Sequence, residues 1–530
     1  MERSRCFVVI IFFCCLVSIR AEDDFFIDTL ELPDEEAPLN IDRQTTPCHI
    51  LNTIISETHL NRVLANDVYT YTCPLATRNI LTYPSLYTST PFDSQINWNI
   101  FYQEMPTIFP YPNGIEGYLN LFNGAFLRTL DLDIARECHI NLPQTLSLFK
   151  NAVVTQYRVG FMFDFWKRIK FFNLGIQVPF YAVARHYNLP LEDQQDLRTT
   201  IPQFKELFGT VSTDALPAKQ SQIYPYVLET RLGLGDMRLS FCFHALEKDR
   251  ADFVVGSKVI IPTASTFASG FIGSDFSKCV ARQYLDIYNF VYQIMECADE
   301  QAKAHAKETG MQFALASFYQ MNETLLGTQL GNQRTQVAFY AQPTLRVDNQ
   351  VSLVASLTAN WLLARRLPRF IKEVINPADF DDANFDSETM TADECADALN
   401  FLSTRLENVL MPEQYYVYLR PQFEFQLTAV AQIQFTDNWR FFVGYDYWRR
   451  HAECTRTVSN CQRAPMAFDT LQVATALSPK LSQQKMLLRA EYTKFKISHN
   501  FVFSLGMDLP ISSKNIGDDY TGFIRFEWEL

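Results

Sequence analysis

Few residues of this 530-residue chain have types and spacings that could do chemistry. Ser240 and His244 fall on one face of a run whose other face carries Phe241 and Phe243. A serine and a histidine could serve as nucleophile and base in lipid hydrolysis, but the sequence names no Asp or Asn to orient the ring. A lone strand histidine is usually structural, so no enzyme is expected. Asp382, Asn384, Asp386 and Glu388 alternate like part of a calcium loop. The sixth position is Ser387 instead of glycine, which favours a solvated acidic loop. The eight histidines are scattered without zinc spacing. No nucleophile-elbow, P-loop, dinucleotide or metalloprotease motif occurs. The glycines of Leu232-Gly233-Leu234-Gly235-Asp236-Met237 lead into a strand, so they aim no helix N-terminus at a phosphate. No cofactor and no metal are expected.

The more informative polar residues are Arg158, Arg346, Glu424, Arg440 and Asp446. Each sits on the polar side of a long run with period-two alternation, which is where the lining of a pore would lie. From Phe423 the odd positions read Phe, Phe, Leu, Ala, Ala, Ile, Phe, and the even positions carry Gln, Glu, Gln, Thr, Val, Gln, Gln. A strand sorts these residues onto two faces, whereas a helix would scatter them. Thr436-Asp437-Asn438 turns the chain, and Trp439 to Arg450 alternates again. Val337–Val347 with Val351–Trp361, and Val153–Phe165 with Leu174–Ala184, repeat the design as hairpins. Further strands are predicted at Ile96–Tyr102, Met237–Ala245, Phe253–Ile261, Leu471–Leu477, Met486–Tyr492, Phe501–Leu509 and over the last ten residues. The total is about 12 to 14 strands, many of about ten residues, the length a tilted strand needs to cross a bilayer. Tight turns alternate with long intervals, as in a barrel with short turns at one end and large loops at the other.

Composition narrows the class. Hydrophobic residues make up 48% and charged residues 20%, so most of the chain can fold. A net charge of −13 argues against a nucleic-acid partner. Aromatics reach 14%, and Trp361, Trp439, Tyr445, Tyr447, Trp448 and Trp528 gather near strand ends, as an interfacial girdle would. Residues 1–21 have the basic, apolar and small-residue order of a signal peptide, with an apolar stretch too short to span a membrane. Three cysteines lie in this leader and nine follow it. Export permits disulfides, and Cys454 with Cys461 could close a short loop. Residues 22–90 read as an acidic lead-in and irregular segment that could plug a barrel. Residues 91–530 read as the barrel, with helical insertions near 278–307 and 364–412. Thr391-x-x-Glu394 is a capping box for the second of these.

Two segments resemble known proteins. The final strand, with Ile524, Phe526, Trp528 and Leu530 on one face, resembles the C-terminal targeting strand of bacterial outer-membrane β-barrel proteins, although those usually end in Phe. "GLGDMRLSF" followed by "DFVVGSKVIIPTAS" resembles a hairpin of outer-membrane transport barrels such as the long-chain fatty-acid (hydrophobic-compound) transporter family. Gly233, Gly235, Asp236, Gly256 and Pro262 carry that likeness, and that family's Asn-Pro-Ala motif is missing. These resemblances imply an all-β membrane protein in the outer membrane. Its partners would be the lipid bilayer, the barrel-assembly machinery acting through the last strand, and a small-molecule solute. The expected function is passive passage of small or hydrophobic solutes. A surface-displayed structural or adhesive barrel without conductance, and a secreted soluble β-protein, are the alternatives.

Overall fold

The computed structural model describes Cys48, Arg78 and residues 94–107, 153–170, 172–188, 230–269, 301–302, 330–371, 374, 390–399, 401, 413–460, 465–495 and 500–529. The strands in chain order are β1 (Ser94–Thr107), β2 (Val153–Ile169), β3 (Phe172–Asn188), β4 (Arg231–Leu234), β5 (Met237–Lys248), β6 (Ala251–Ile261), β7 (Ser265–Ser269), β8 (Gln336–Arg346), β9 (Val351–Leu362), β10 (Arg365–Ile371), β11 (Glu413–Leu419), β12 (Gln422–Gln434), β13 (Trp439–Arg450), β14 (Thr455–Ser459), β15 (Pro465–Met466), β16 (Leu481–Phe495), β17 (Asn500–Lys514) and β18 (Asp518–Glu529).

Twelve of these close an antiparallel barrel in the order β1-β2-β3-β5-β6-β8-β9-β12-β13-β16-β17-β18, and β18 pairs back with β1. Closure gives each of these twelve strands a hydrogen-bonded neighbour on both sides. No described helix is long and apolar enough to cross a membrane, which bears on helices alone.

Alternation decides which side chains face in. On β12 the even residues from Gln422 to Val430 are buried, whereas Leu427, Ala429 and Ile433 on the odd face are exposed. The same holds around the ring. Phe435 is 74% exposed, Leu505 55% and Trp528 52%, while Asp446 and Gln483 are fully buried. A water-soluble protein inverts this arrangement; an apolar exterior around a polar interior suits a barrel immersed in hydrocarbon. Outward aromatics meet across strands, with Phe172 and Phe241 at 4.9 Å and Trp98 and Phe163 at 5.0 Å.

The two ends differ. Two to four residues join β2 to β3, β5 to β6, β8 to β9, β12 to β13 and β16 to β17, all at one end. At the other end residues 108–152, 189–230, 270–335, 363–421 and 451–480 make long connections, beside the short link 515–517. Two long connections build a second, four-stranded sheet in the order β10-β11-β14-β15. It has its own core, centred on Ile371, Val417, Leu419 and Ala476. The interval 364–412, expected to be helical, therefore contains a strand at Arg365–Ile371; its described helix is 392–399, with residue 401 also helical. The capping box forms there: Thr391 N and Oγ1 both donate to Glu394 Oε2 at 2.8 Å, which holds that carboxyl below its usual range. In the other expected insertion, 278–307, only residues 301–302 are described, and they are helical. Leu471–Leu477, expected as a strand, carries a 3-10 turn at Val473–Ala476 that packs into the second core. Short apolar runs do not declare their period, and burial settles the outcome.

One barrel wall is broken. Gly235-Asp236 separates β4 from β5, and Pro262 to Ala264 separates β6 from β7. Thr263 holds the break: its Oγ1 donates to Gly235 O at 3.1 Å and accepts from Met237 N at 2.9 Å. Beyond the break β7 pairs with β4 and not with β8. The residues that resembled a transport-barrel hairpin thus mark a bend in the wall. Proline, which has no N–H to donate, and glycine are the residues strands use at such bends.

Candidate functional site: the barrel interior

Strand parity brings side chains from all twelve strands into one interior, where they form two environments. The first is ionic. Glu424 on β12 accepts from Arg450 Nε at 2.9 Å and from Asn360 Nδ2 at 3.3 Å. Lys485 pairs with Asp519 at 2.7 Å, and Arg525 with Glu527 at 2.7 Å. Gln103 donates to Thr521 at 3.1 Å, and Asn99 to Asp164 at 3.1 Å. Charges this deeply placed persist only when paired and hydrogen-bonded, and these are.

The centre of the ionic side is Arg78, from the segment that precedes the barrel. Its guanidinium lies 2.5 Å from the Asp446 carboxylate, with side-chain exposures of 4% and 0%. Its carbonyl oxygen accepts from Arg158 at 3.1 Å. Its charge also sits 5.5 Å from the Trp448 ring, which Arg450 approaches at 5.1 Å. Asp446 further accepts from Gln426 at 2.7 Å and Thr428 at 2.6 Å. The interior is therefore filled at this level by a residue from outside the barrel strands.

The second environment is apolar. Phe101, Met162, Tyr181, Val183 and Phe523 point inward from β1, β2, β3 and β18 and pack against Leu330. Leu330 belongs to the segment that returns to the wall break. Its carbonyl oxygen accepts from Tyr181 Oη, and Asn332 N donates to Asp236 Oδ2 at 2.7 Å. At 331 a Cβ would lie 2.3 Å from Asp236 Oδ1, so a side chain there would displace that carboxylate. At 506 a Cβ would meet the Phe523 ring at 2.3 Å, so Gly506 makes room for that ring.

The five residues chosen from alternation are placed as follows. Arg158 and Asp446 are buried inside and converge on Arg78. Glu424 is inside, paired with Arg450. Arg440 lies inward near the tight-turn end, 3.4 Å from Glu491. Arg346 shares the inward parity but sits exposed at that same end, donating to Asp249 O at 3.0 Å. Cys454 is an exposed free thiol, and Cys461 lies outside the described residues. The described disulfide joins Cys48 to Cys395, 347 positions apart, a pairing no local spacing announces.

Trp448 corrects the girdle expectation. It is buried inside instead of facing lipid, as its even position on β13 requires. Trp361, Trp439, Tyr445 and Trp528 do face outward. Arg78 had no sequence signal, since it lies in no alternating run. Arg334 likewise sits before β8, where it bonds the carbonyls of Leu362, Leu363 and Arg420 and lies 3.9 Å from Glu453. Burial pulls its guanidinium down to about 10, against the raising effect of Glu453.

His244 does have orienting partners: Nδ1 lies 3.2 Å from Asp252 Oδ1, and Nε2 lies 3.3 Å from Asn173 Nδ2. A carboxylate can only accept, so Nδ1 carries the proton and Nε2 receives the amide. Both nitrogens are engaged, and Ser240 is about 13 Å along the strand. The arrangement is a structural tether. Among the described residues no group of three or more His, Cys, Asp or Glu could hold a metal, and the acidic loop 382–388 lies outside them.

The fold and its interior define a closed, lipid-compatible β-barrel with a mixed polar and apolar lumen. No protein-family model and no curated protein matches the chain. Solved structures similar to it include an outer-membrane channel from Pseudomonas putida F1 (10% identity, TM-score 0.38, 84% of this chain and 98% of that one). They also include the transport unit of the autotransporter AIDA-I from Escherichia coli (6%, 0.34, 90% and 98%) and the Ralstonia pickettii toluene transporter TbuX (9%, 0.32, 88% and 97%). At such identities their residues say nothing about which side chains act here.

Proposed function

We propose that this protein is an outer-membrane β-barrel acting as a passive, non-enzymatic channel for small or hydrophobic solutes, exported by its N-terminal signal segment. The observation that carries the reading is the inverted arrangement of the barrel, with apolar side chains on the outside and polar ones within. Outside, it offers hydrocarbon a continuous apolar belt. Inside, ion pairs lie on β12, β13, β16 and β18, and an apolar patch is formed by Phe101, Met162, Tyr181, Leu330 and Phe523. A solute with an apolar body and a polar end finds both surfaces there. Arg440 and Glu491, near the tight-turn mouth, would set charge preference.

The experiment is conductance across planar bilayers with purified, folded protein, identified by its anomalous gel migration before boiling. Steady currents that change ion preference in Arg440→Glu support the channel. A correctly inserted, heat-modifiable barrel that carries no current refutes it. A second reading is favoured by the packed interior around Arg78: a surface-displayed barrel whose long connections and second sheet carry the function. Silence in the bilayer would support that reading.

A further inference from the structure

On the outer side of the wall the apolar belt gives way to a cationic patch at the long-segment end of β13, β16 and β17. Arg449 pairs with Ser482, and Ser482 with Lys514, so these outward residues form one row across three strands. The next row toward the midplane is Tyr447, Gln484 and Ser512. Tyr445 lies below and turns its hydroxyl up to the patch, donating to Gln484 Oε1 at 2.9 Å. Lys480 is exposed just before β16, and its carbonyl oxygen accepts from Asn515 Nδ2 at 2.8 Å. A bulge creates the outer row: Gln484 pairs with Ser512 but Lys485 with Pro510, leaving Ile511 as an extra residue. Without it, strict alternation along β17 would turn Ser512 and Lys514 into the lumen.

Among the described residues, Arg449, Lys480 and Lys514 make no ion pair and no side-chain hydrogen bond, whereas Arg450, Lys485 and Arg525 inside the barrel are paired. Arg449 Nε is shielded from solvent and bonds nothing. A shielded donor without an acceptor is costly, and an acceptor from outside the chain removes that cost. The outward carboxylates described on this rim, Asp518 and Glu104, lie beyond Lys514 on β18 and β1, and Glu104 accepts from Tyr102 Oη at 3.3 Å. Neighbouring strands are about 4.8 Å apart, so Arg449 and Lys514 stand about 10 Å apart on long stems that can converge.

We infer that this patch binds the phosphorylated sugar headgroup of a glycolipid in the leaflet around the long-segment end. The inference rests on the membrane-barrel reading and gives that barrel a lipid partner. Arg449 and Lys514 match phosphate in charge, and Arg449 also in its forked geometry. Ser482, Ser512 and Gln484 offer hydrogen bonds to sugar hydroxyls. Below Tyr445 the rows return to Met486 with Leu509 and Leu488 with Met507, where acyl chains lie. Long connections face the exterior in outer-membrane barrels, and the outer leaflet there is built of phosphorylated glycolipid.

The test is native mass spectrometry of the full-length protein in detergent, identified as a folded barrel by heat-modifiable migration. The probes are bisphosphorylated lipid A, the same lipid A dephosphorylated, and phosphatidylglycerol. The wild-type protein should hold the bisphosphorylated form at least about tenfold more tightly than the dephosphorylated one. Arg449→Gln with Lys514→Gln should remove that preference, whereas Arg449→Lys with Lys514→Arg should keep it. Equal retention of the two lipid A forms by the wild type overturns the inference, and this arm stands even where the glutamine variant fails to fold. Unchanged preference in a folded glutamine variant overturns the location of the site. Phosphatidylglycerol held as tightly as bisphosphorylated lipid A overturns the glycolipid in favour of a phospholipid. Failed retention by a heat-modifiable barrel sinks the site alone; migration that boiling does not change sinks the barrel reading and the site with it.

Discussion

The Arg78–Asp446 pair allows a worked prediction. Both groups are buried and their charged atoms are 2.5 Å apart. Removing one partner of a buried pair leaves an uncompensated charge, at a cost of about 3–5 kcal/mol. Arg78→Ala should fall near the lower bound, about 3 kcal/mol, because Asp446 keeps Gln426 and Thr428 as donors. Asp446→Ala should cost at least as much, since Arg78 would lose its ion-pair partner while keeping the Trp448 ring and Gln483 Oε1 at 3.5 Å. The double variant should cost less than the sum, with a coupling of about 1–3 kcal/mol. The assay is the urea midpoint of the barrel refolded into lipid vesicles, followed by tryptophan fluorescence, to which Trp448 contributes beside the perturbation. If the single effects add to within about 0.5 kcal/mol, the two groups do not meet and the interior contains no such latch.

The remaining predictions use other surfaces. Leu427→Arg, on the lipid face, should cost about 2–4 kcal/mol near the midplane, measured by the same refolding midpoint. Glu424→Gln should cost about 1–3 kcal/mol, because buried Arg450 loses its counter-charge while an acceptor of the same shape remains; a cost matching that of Leu427→Arg with no change in ion selectivity would contradict its interior placement. Gly506→Ala should cost about 1–3 kcal/mol and dislodge the Phe523 ring from the apolar patch, seen as a lowered midpoint that Phe523→Leu relieves. His244→Ala should leave any lipid hydrolysis unchanged from background and alter only stability, since both ring nitrogens serve structural bonds.

Much of the barrel was legible because a strand's side chains repeat every second residue, and a wall with lipid on one side and polar groups on the other needs that alternation in every member. Trp448 shows the limit of a composition argument beside a periodicity argument: its aromatic type suggested the interface, and its even position on β13 put it inside. Glu424 shows a subtler one. Alternation put it on the polar face of its strand, where the structure buries it, but nothing local paired it with Arg450, 26 positions away. Short strands such as β4, β7 and β14 escaped notice because four or five residues hold too few periods to stand out.

The sequence by itself determined the two faces of each long strand, the alternation of tight turns with long connections, and hence a barrel with unlike ends. Those properties are local, set by period and turn chemistry within about twenty residues. Only the tertiary structure decided what fills the interior: Arg78 on Asp446, Leu330 in the wall break, Cys48 on Cys395. These contacts join residues up to 368 positions apart. No repeat or spacing encodes such meetings, because they depend on where closure of the ring brings distant segments.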